Sequence, residues 1–222
     1  MFEGFSEETS QFLWDLAFHN DTPWFDEHKE QYIRVLKTPF QHLAEDTKTA
    51  LESATEDEYD LHVSRIYRDA RRLFGRGPYK DHLWFSLRRR DWNGDLCFYF
   101  TLSASSYGYG LGGWMRAHEA ENWRRFVDAN GAEVERLARR LRRRKDFALG
   151  GESYKRPKAG APSELLAPWF QMKTISITHE EKLTEELFSR DVVDRVKRGY
   201  EFLLPYYDYF VTLDGDPDPR EL

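Results

Sequence analysis

A seventeen-residue stretch, Ser64–Lys80, concentrates side chains that suit the binding of an anion. It contains five arginines, one lysine, two tyrosines and one aspartate, and arginine recurs at every third position from 65 to 71. The guanidinium group presents planar, fixed donors that match the oxygens of phosphates and carboxylates. Several of them converging with a lysine and tyrosine hydroxyls would hold such a ligand. The predicted ligand-binding residues are Arg65, Tyr67, Arg68, Arg71, Tyr79 and Lys80.

Asp69 is the carboxylate of this stretch, and two roles are open for it. It can brace a neighbouring arginine through a bidentate pair, which leaves the other guanidinium groups available. It can also act as a general base, which would make it a catalytic residue. The sequence leaves open whether the protein is an enzyme. It also leaves open that the cations form a structural ion-pair network or a solvated basic face, because such networks concentrate charge as well.

The residues around the arginines predict a strand that runs into an ordered loop. Residues 61–67 have the β-branched and aromatic content of a strand. The glycines and the proline at 75–78 then interrupt any regular element. Because side chains alternate along a strand, Arg65, Tyr67 and Asp69 are expected on one face, with the residues between them on the other.

Patterns before and after this stretch predict the elements that must position it. Residues 1–60 predict a helical region, with helices that begin after Ser6, near Pro23 and near Pro39. Residues 61–114 predict the core of a sheet. This sheet carries the segment Ser64–Lys80, which we call the arginine motif. Residues 115–222 predict a second helical region, with helices at 116–129, 131–145 and 189–204 and one further strand near 172–177.

These elements together indicate an α+β fold. An antiparallel central sheet is expected, with helices from the N- and C-terminal regions packed against it. A length of 222 residues favours a single domain, 1–222. The basic run at 139–145 closes a predicted helix. The helix dipole favours cations there, so the run is interpreted as solvated surface.

The net charge of −6 conceals an uneven distribution along the chain. Residues 1–60 contain 4 Lys or Arg against 15 Asp or Glu, whereas residues 61–175 contain 23 against 12. Residues 176–222 are acidic again, with 6 against 12. An acidic frame around a basic centre favours a small anionic ligand or internal pairing. It argues against a broad nucleic-acid surface, although a local groove for nucleic acid stays open.

Cysteine and histidine usage narrows the chemistry and the compartment. Cys97 is the only cysteine, which excludes an intrachain disulfide and a cysteine-based zinc cluster. The histidines form no recognisable ligand motif, so no metal site is predicted, and the cofactor is left unknown. No apolar run approaches the roughly twenty residues of a membrane span, and no secretory signal is recognisable. The expected compartment is the cytoplasm, and the oligomeric state is left open.

Over nearly its whole length the chain resembles the domain of unknown function 2461 family of conserved hypothetical proteins. The specific part of the resemblance is Ser64-Arg65-Ile66-Tyr67-Arg68-Asp69-x-Arg71 followed by Pro78-Tyr79-Lys80. Weaker matches are Phe12-Leu13, Trp24-Phe25, Tyr32, Pro39, Gly113 and Arg156-Pro157. Two departures stand out, since Arg72 replaces a usual Phe and Gly75-Arg76 replaces a usual Asp-Lys. The family brings no established activity, so the resemblance supports the site and not a reaction.

Two functions are compatible with these observations. In the first, a cytoplasmic protein binds a small phosphate- or carboxylate-bearing ligand, with or without catalysis. Arg65, Arg68 and Lys80 hold the anion, and the tyrosine hydroxyls donate hydrogen bonds. In the second, a non-catalytic interaction module binds an acidic protein or nucleic acid through the same cations. Salt-sensitive binding of mixed oligonucleotides would favour the second, and a pocket around the three cations would favour the first.

Overall fold

The structure, a computed structural model, describes residues 1–73, 75–90, 94–114, 124 and 131–211. The helices in this part of the chain are α1 (Glu7–His19), α2 (Thr22–Glu27), α3 (Lys29–Tyr32), α4 (Thr38–Thr55), α5 (Gly131–Arg143), α6 (Ala167–Phe170) and α7 (Asp191–Val211). A π-helical turn, Ile33–Lys37, joins α3 to α4, and 3₁₀ turns cover Ala70–Arg72 and Glu185–Phe188. The predicted helix at 116–129, apart from Arg124, and most of a predicted turn at 91–95 lie outside the described residues.

The strands of the described residues form one antiparallel sheet, which confirms the predicted α+β class. They are β1 (Tyr59–Val63), β2 (His82–Arg89), β3 (Cys97–Ser103), β4 (Ser106–Trp114), β5 (Ala148–Gly150) and β6 (Thr174–Lys182). Their order across the sheet is β1-β2-β3-β4-β6-β5, so β1 lies at an edge. The short strand β5 has no counterpart in the sequence-based prediction. The arginine motif follows directly on the edge strand.

The chain divides into two compact units. The first comprises Met1–Arg89, Tyr99–Tyr109 and Glu180–Glu201, and the second comprises Arg90–Phe98, Gly110–His179 and Phe202–Leu222. The arginine motif belongs wholly to the first unit. Both a single-domain chain and a two-domain chain can contain two compact units, so the single domain 1–222 stays a prediction.

The N-terminal helices begin where their capping residues predict. The backbone N–H of Ser6, the residue before α1, donates to the Thr9 hydroxyl at 3.2 Å. The Asp21 carboxylate accepts a hydrogen bond from the backbone N–H of Trp24 at 2.9 Å and so caps α2. Pro23 occupies the first turn of that helix, where the missing N–H costs nothing. Both caps are local, which is why the sequence alone could place them.

Pro39 explains the π-helical turn between α3 and α4. Proline has no N–H, so the carbonyl of Val35, four residues earlier, cannot accept the usual helical hydrogen bond. The Thr9 hydroxyl of α1 donates to that carbonyl instead, at 2.7 Å. The helix is therefore locally widened and not broken, and α4 continues from Thr38.

Helix α4 covers one face of the sheet in the first unit. The ring of Phe40 on α4 lies 5.8 Å from Phe85 on β2, and Phe85 stacks on Phe100 of β3 at 5.4 Å. Alternate residues of β2 are buried on this face, whereas His82, Trp84 and Ser86 on the other face stay partly accessible. The accessible face is the one available for a site.

The basic run at 139–145 is more than solvated surface. In the second unit the Arg140 and Arg144 guanidinium groups lie 4.7 and 4.5 Å from the centre of the Phe202 ring. Arg144 also forms a bidentate pair with Asp146, at 2.8 and 2.7 Å. These two side chains therefore cover aromatic surface with their cations, as arginines commonly do, and a helix-dipole argument did not foresee that.

The last helix continues well past its predicted end at residue 204. Helix α7 runs to Val211 with Pro205 inside it. Tyr206 and Tyr207 are fully buried, and the Tyr206 hydroxyl donates to the carbonyl of Leu137 at 3.0 Å. Burial of such large side chains offsets the roughly 3 kcal/mol that a proline costs within a helix.

Candidate anion-binding site

The arginine motif forms an irregular extension of the β1–β2 hairpin. Strand β1 ends at Val63, earlier than predicted, although the Ser64 N–H still donates to the Trp84 carbonyl at 2.8 Å. Pairing resumes at an isolated antiparallel bridge between Tyr67 and Tyr79. Backbone hydrogen bonds of 2.7 and 2.8 Å flank that bridge, from Arg68 N–H to the residue 78 carbonyl and from residue 80 N–H to the residue 66 carbonyl. Residues 69–77 thus form a loop whose ends are fixed.

Asn20, the residue that ends α1, anchors the far side of this loop. Its side-chain oxygen accepts from the Tyr79 N–H at 2.9 Å, and its side-chain nitrogen donates to the Tyr79 carbonyl at 3.1 Å. Gly77 lies so close that a Cβ there would stand 2.3 Å from the Asn20 side-chain oxygen. The amide therefore replaces a strand neighbour for Tyr79. Sequence reasoning missed Asn20, because its partner lies 59 residues away.

A cavity of about 700 Å³ lies against the arginine motif and the accessible face of β1 and β2. Among the described residues, its lining combines five cationic side chains with a single carboxylate. The lining residues are His62, Ser64, Arg65, Tyr67, Arg68, Asp69, Arg71, Arg76, Lys80 and Trp84. Such an excess of positive charge in a concave, partly desolvated space attracts an anion. Arg65, Arg68 and Lys80, separated by up to fifteen positions in the sequence, therefore share one cavity.

Asp69 is engaged with Arg71. Its carboxylate accepts from Arg71 Nε at 3.0 Å and from Arg71 Nη2 at 2.9 Å. One carboxylate oxygen also accepts from the Arg71 backbone N–H at 3.0 Å, which caps the 3₁₀ turn. This bidentate geometry is that of a brace. A role as a general base would require the pair to open.

Arg68 has a largely structural set of contacts. Its Nε donates to the Tyr79 carbonyl at 2.8 Å, and its Nη2 lies 3.5 Å from a carboxylate oxygen of Asp81. The side chain is only 15% exposed. The pKa of Asp81 is lowered, first by its hydrogen bond to His82 and also by the charge of Arg68. Arg68 therefore ties two parts of the loop together and also lines the cavity.

Arg65 differs from Arg68 and Arg71, the other two arginines of the three-residue repeat. Its side chain is exposed, and its guanidinium has no hydrogen-bond or ion-pair partner in the part of the chain that the structure describes. Its backbone carbonyl accepts from Lys80 Nζ at 2.7 Å, so the Lys80 ammonium lies beside the base of the Arg65 side chain. Within the repeat, Arg65 is thus the arginine that can bind a ligand without first leaving a protein partner. Arg76, which also lines the cavity, is likewise exposed and without a side-chain partner among the described residues.

Lys80 carries a pKa below the usual lysine value. Partial burial is the main cause, followed by the positive charges of Arg68 and Arg65. The lowered pKa means that the charged ammonium is disfavoured beside its neighbours. An anion in the cavity would counter that repulsion and raise the pKa again.

The two tyrosines of the motif have different surroundings. Tyr67 is 51% exposed and lines the cavity. Tyr79 is 2% exposed, stacks on Phe25 with ring centres 4.1 Å apart, and is not among the cavity-lining residues. Burial raises the pKa of the Tyr79 hydroxyl. Tyr67 is therefore the tyrosine of the motif that is accessible from the cavity, whereas Tyr79 lies in the core.

Four lining residues were not predicted for the site. His62, Ser64 and Trp84 reach the cavity because they lie on the accessible face of the β1–β2 hairpin. Arg76 reaches it from the loop between two glycines. Strand alternation, extended from β1 to its neighbour β2, was the available signal for the first three, and the flanking glycines were the signal for Arg76.

The described residues contain no group of three or more His, Cys, Asp and Glu side chains arranged to hold a metal ion. Nor does any helix in those residues combine the length and the apolar character needed to cross a bilayer.

Comparison with known proteins identifies the family. The family model described as conserved hypothetical protein (DUF2461) matches residues 8–209 of the chain. The chain therefore belongs to this family, as the resemblance of its arginine motif predicted. None of the curated proteins compared with the chain matches it.

The lowered pKa of Lys80 makes a testable prediction about anion binding. Above its lowered pKa, Lys80 of the free site is largely uncharged, and a bound anion draws a proton onto it. Sulfate affinity is therefore expected to fall as pH rises from 7 towards 10, earlier than a normal lysine would allow. Calorimetric titration measures it, and sulfate itself does not titrate in this range.

The control for this effect is Lys80→Arg, which keeps a cation that stays charged throughout the range. It should bind sulfate with an affinity that is nearly constant from pH 7 to 10. If wild type and Lys80→Arg show the same pH dependence, Lys80 does not contact the anion.

Proposed function

We propose that the protein binds a small anion, bearing phosphate or carboxylate, in the cavity beside the arginine motif. One observation carries the proposal: five cationic side chains and a single carboxylate line the same space. The volume of about 700 Å³ lies within the range of roughly 300–1,000 Å³ that is typical of small-molecule sites. The acidic flanking regions of the chain support a confined ligand over a long polyanion.

Different residues contribute different interactions to the proposed binding of the anion. Arg65 supplies a bidentate fork, because its guanidinium is exposed and unpartnered among the described residues. Lys80 adds a point charge, and Tyr67 adds a hydroxyl donor at the cavity wall. Arg68 holds the loop in shape, and the exposed Asp69–Arg71 pair lies at the cavity wall. We assign no reaction, since the carboxylate of Asp69 is already engaged.

We also propose the cytoplasm as the compartment. A chain with one cysteine gains nothing from an oxidising environment in which disulfides would form. A redox-sensitive reporter fused to the chain would test this proposal, because its response shows whether the compartment that contains the chain is reducing or oxidising.

Thermal melting with and without anions tests the binding proposal. A ligand at 100 times its Kd stabilises the native state by about 2.7 kcal/mol, which for a chain of this length shifts Tm by roughly 5–10 °C. We expect sulfate or phosphate to produce such a shift on titration. Sodium chloride at matched ionic strength is the control and should not reproduce it, because screening is not specific binding.

The same experiment distinguishes the interaction-module alternative. The second ligand is a mixed-sequence single-stranded oligonucleotide, titrated at two salt concentrations. A shift with the oligonucleotide that falls steeply with salt, together with no shift from sulfate or phosphate, would replace the small-anion proposal with nucleic-acid binding. No shift with any of the three would contradict both.

A further inference from the structure

A second, apolar cavity adjoins the cationic one. It has a volume of about 260 Å³, and eight of its lining side chains are aliphatic or aromatic. Those eight are Phe25, Tyr32, Ile33, Phe40, Val63, Ile66, Tyr67 and Leu83. We call this cavity the apolar groove. Ser64, Arg65 and Tyr67 line both the apolar groove and the cationic cavity, so the two spaces meet at these residues.

Strand geometry explains how one segment can line both spaces. Val63 pairs with Phe85 and lies on the face that α4 covers, whereas His62 and Trp84 lie on the accessible face. Neighbouring residues of a strand point to opposite faces. The apolar groove includes Val63, and the cationic cavity includes His62 and Trp84. The two spaces therefore lie on either side of the edge strand and join where that strand ends.

The π-helical turn builds the outer wall of the apolar groove. Ile33 and Lys37, the first and last residues of this turn, both line the groove, and Ile33 is 41% exposed. Lys29, one turn earlier, is exposed at the same wall. Single π-turns occur frequently at functional sites, because the extra residue changes which side chains face a cavity. Here the π-helical turn places the apolar side chain of Ile33 between Lys29 and Lys37 at the wall of the groove.

We propose that the ligand is an amphiphilic anion whose apolar group, an aromatic ring or short alkyl chain, lies in the apolar groove while its anionic group binds Arg65. This inference rests on the proposed function and adds the class of ligand. Arg65 lines both spaces and is the junction from which such a molecule is held. The lysines at the wall of the groove complement the same negative charge, which favours an anion over a neutral apolar ligand.

The size of the apolar groove limits what its occupant can be. An apolar cavity of about 150 Å³ is enough to hold benzene, so a volume of about 260 Å³ accommodates one ring or a short chain. Tyr67 and Phe25 form an edge-on aromatic pair at 5.8 Å on this side, which suits a flat partner. Burial raises the pKa of the Tyr32 hydroxyl to about 12, so this wall adds no negative charge near neutral pH.

Comparison of phenyl phosphate with inorganic phosphate tests the inference. Because the ring would leave water for the apolar groove, phenyl phosphate is expected to bind at least 10-fold more tightly than phosphate. Ile33→Ser should remove most of that difference and leave the phosphate affinity unchanged, since Ile33 lines only the groove. Phe18→Ser is the matched control: Phe18 is also an exposed apolar side chain, at 86%, but not at either cavity.

Each outcome of this comparison decides something. Equal affinities for the two compounds would overturn the amphiphilic ligand while leaving anion binding intact. Tighter binding of phenyl phosphate that survives in Ile33→Ser would also overturn it, because the ring would then lie elsewhere. Failure of both compounds to bind would overturn the proposed function together with this inference.

Discussion

Replacing Asn20 with alanine is expected to lower the free energy of unfolding by about 2–4 kcal/mol. The side-chain amide satisfies both the N–H and the carbonyl of Tyr79, at 2.9 and 3.1 Å. Each lost hydrogen bond costs about 0.5–1.5 kcal/mol, and leaving a shielded backbone group unpaired adds to that cost. Asn20 also has a φ of 24°, a region where asparagine is tolerated better than alanine. Urea unfolding followed by circular dichroism measures the change.

Two further variants test whether the loss of stability comes from the hydrogen bonds between Asn20 and Tyr79 or from the removal of any side-chain amide. Asn20→Asp keeps the acceptor for the Tyr79 N–H but loses the donor to its carbonyl, so it should be destabilised as well. Gln11→Ala is the matched control, because Gln11 forms an exposed hydrogen bond with Asp15 on α1. It should stay within about 0.5 kcal/mol of wild type, as surface substitutions usually do. An Asn20→Ala protein that is equally close to wild type would show that the amide anchors nothing.

Local sequence signals predicted most of the helices and strands. The starts of α1 and α2 follow from Ser6 and Asp21, whose effects act within one turn of the chain. Pro39, expected near the start of a third helix, follows a π-helical turn within a continuous helical segment. The strands β2, β3 and β4 follow from alternating apolar residues and turn signals. Their antiparallel pairing follows from the short connections between them.

Errors arose where distant contacts override a local preference. Pro205 was expected to end a helix, but the burial of Tyr206 and Tyr207 stabilises the helix beyond it. Arg144 was expected at the surface, and its side chain is 42% exposed, but its guanidinium also lies 4.5 Å from the centre of the Phe202 ring, and no local pattern reveals a partner so far along the chain. Propensity is a weak prior in both cases, because tertiary packing outweighs it.

Local sequence signals likewise predicted part of the candidate site, while contacts in the folded chain decide the rest. The density of arginines identified the segment from sequence alone, and Arg65, Arg68 and Lys80 do share a cavity. Which arginine is available to a ligand depends on contacts between the two arms of the loop. Arg68 bonds to the Tyr79 carbonyl and Arg71 to Asp69, whereas the Arg65 side chain is exposed and has no partner among the described residues. A three-residue repeat cannot rank these positions, since the strand ends at Val63 and alternation ends with it.

Arg65→Lys is expected to weaken sulfate binding by about 1–3 kcal/mol without changing the stability of the empty protein. The loss corresponds to a charge-assisted hydrogen bond, because lysine keeps the charge but cannot present two parallel donors. In affinity this is roughly a 5- to 150-fold increase in Kd. The fold should be unaffected, since the Arg65 side chain is exposed and has no partner among the described residues. Calorimetric titration at fixed ionic strength gives the affinity, and thermal melting of the empty protein gives the stability.

The other two arginines of the repeat provide matched controls with the same substitution. Arg68→Lys loses the hydrogen bond from Nε to the Tyr79 carbonyl, so it should lower the stability of the empty protein by about 1 kcal/mol and affect binding as a consequence. Arg71→Lys alters an exposed pair with Asp69 and should change neither quantity appreciably. Binding that falls equally in all three variants would mean that only the summed charge matters. Binding that is unchanged in Arg65→Lys would remove this residue from the site, and with it the junction through which an anion could reach the apolar groove.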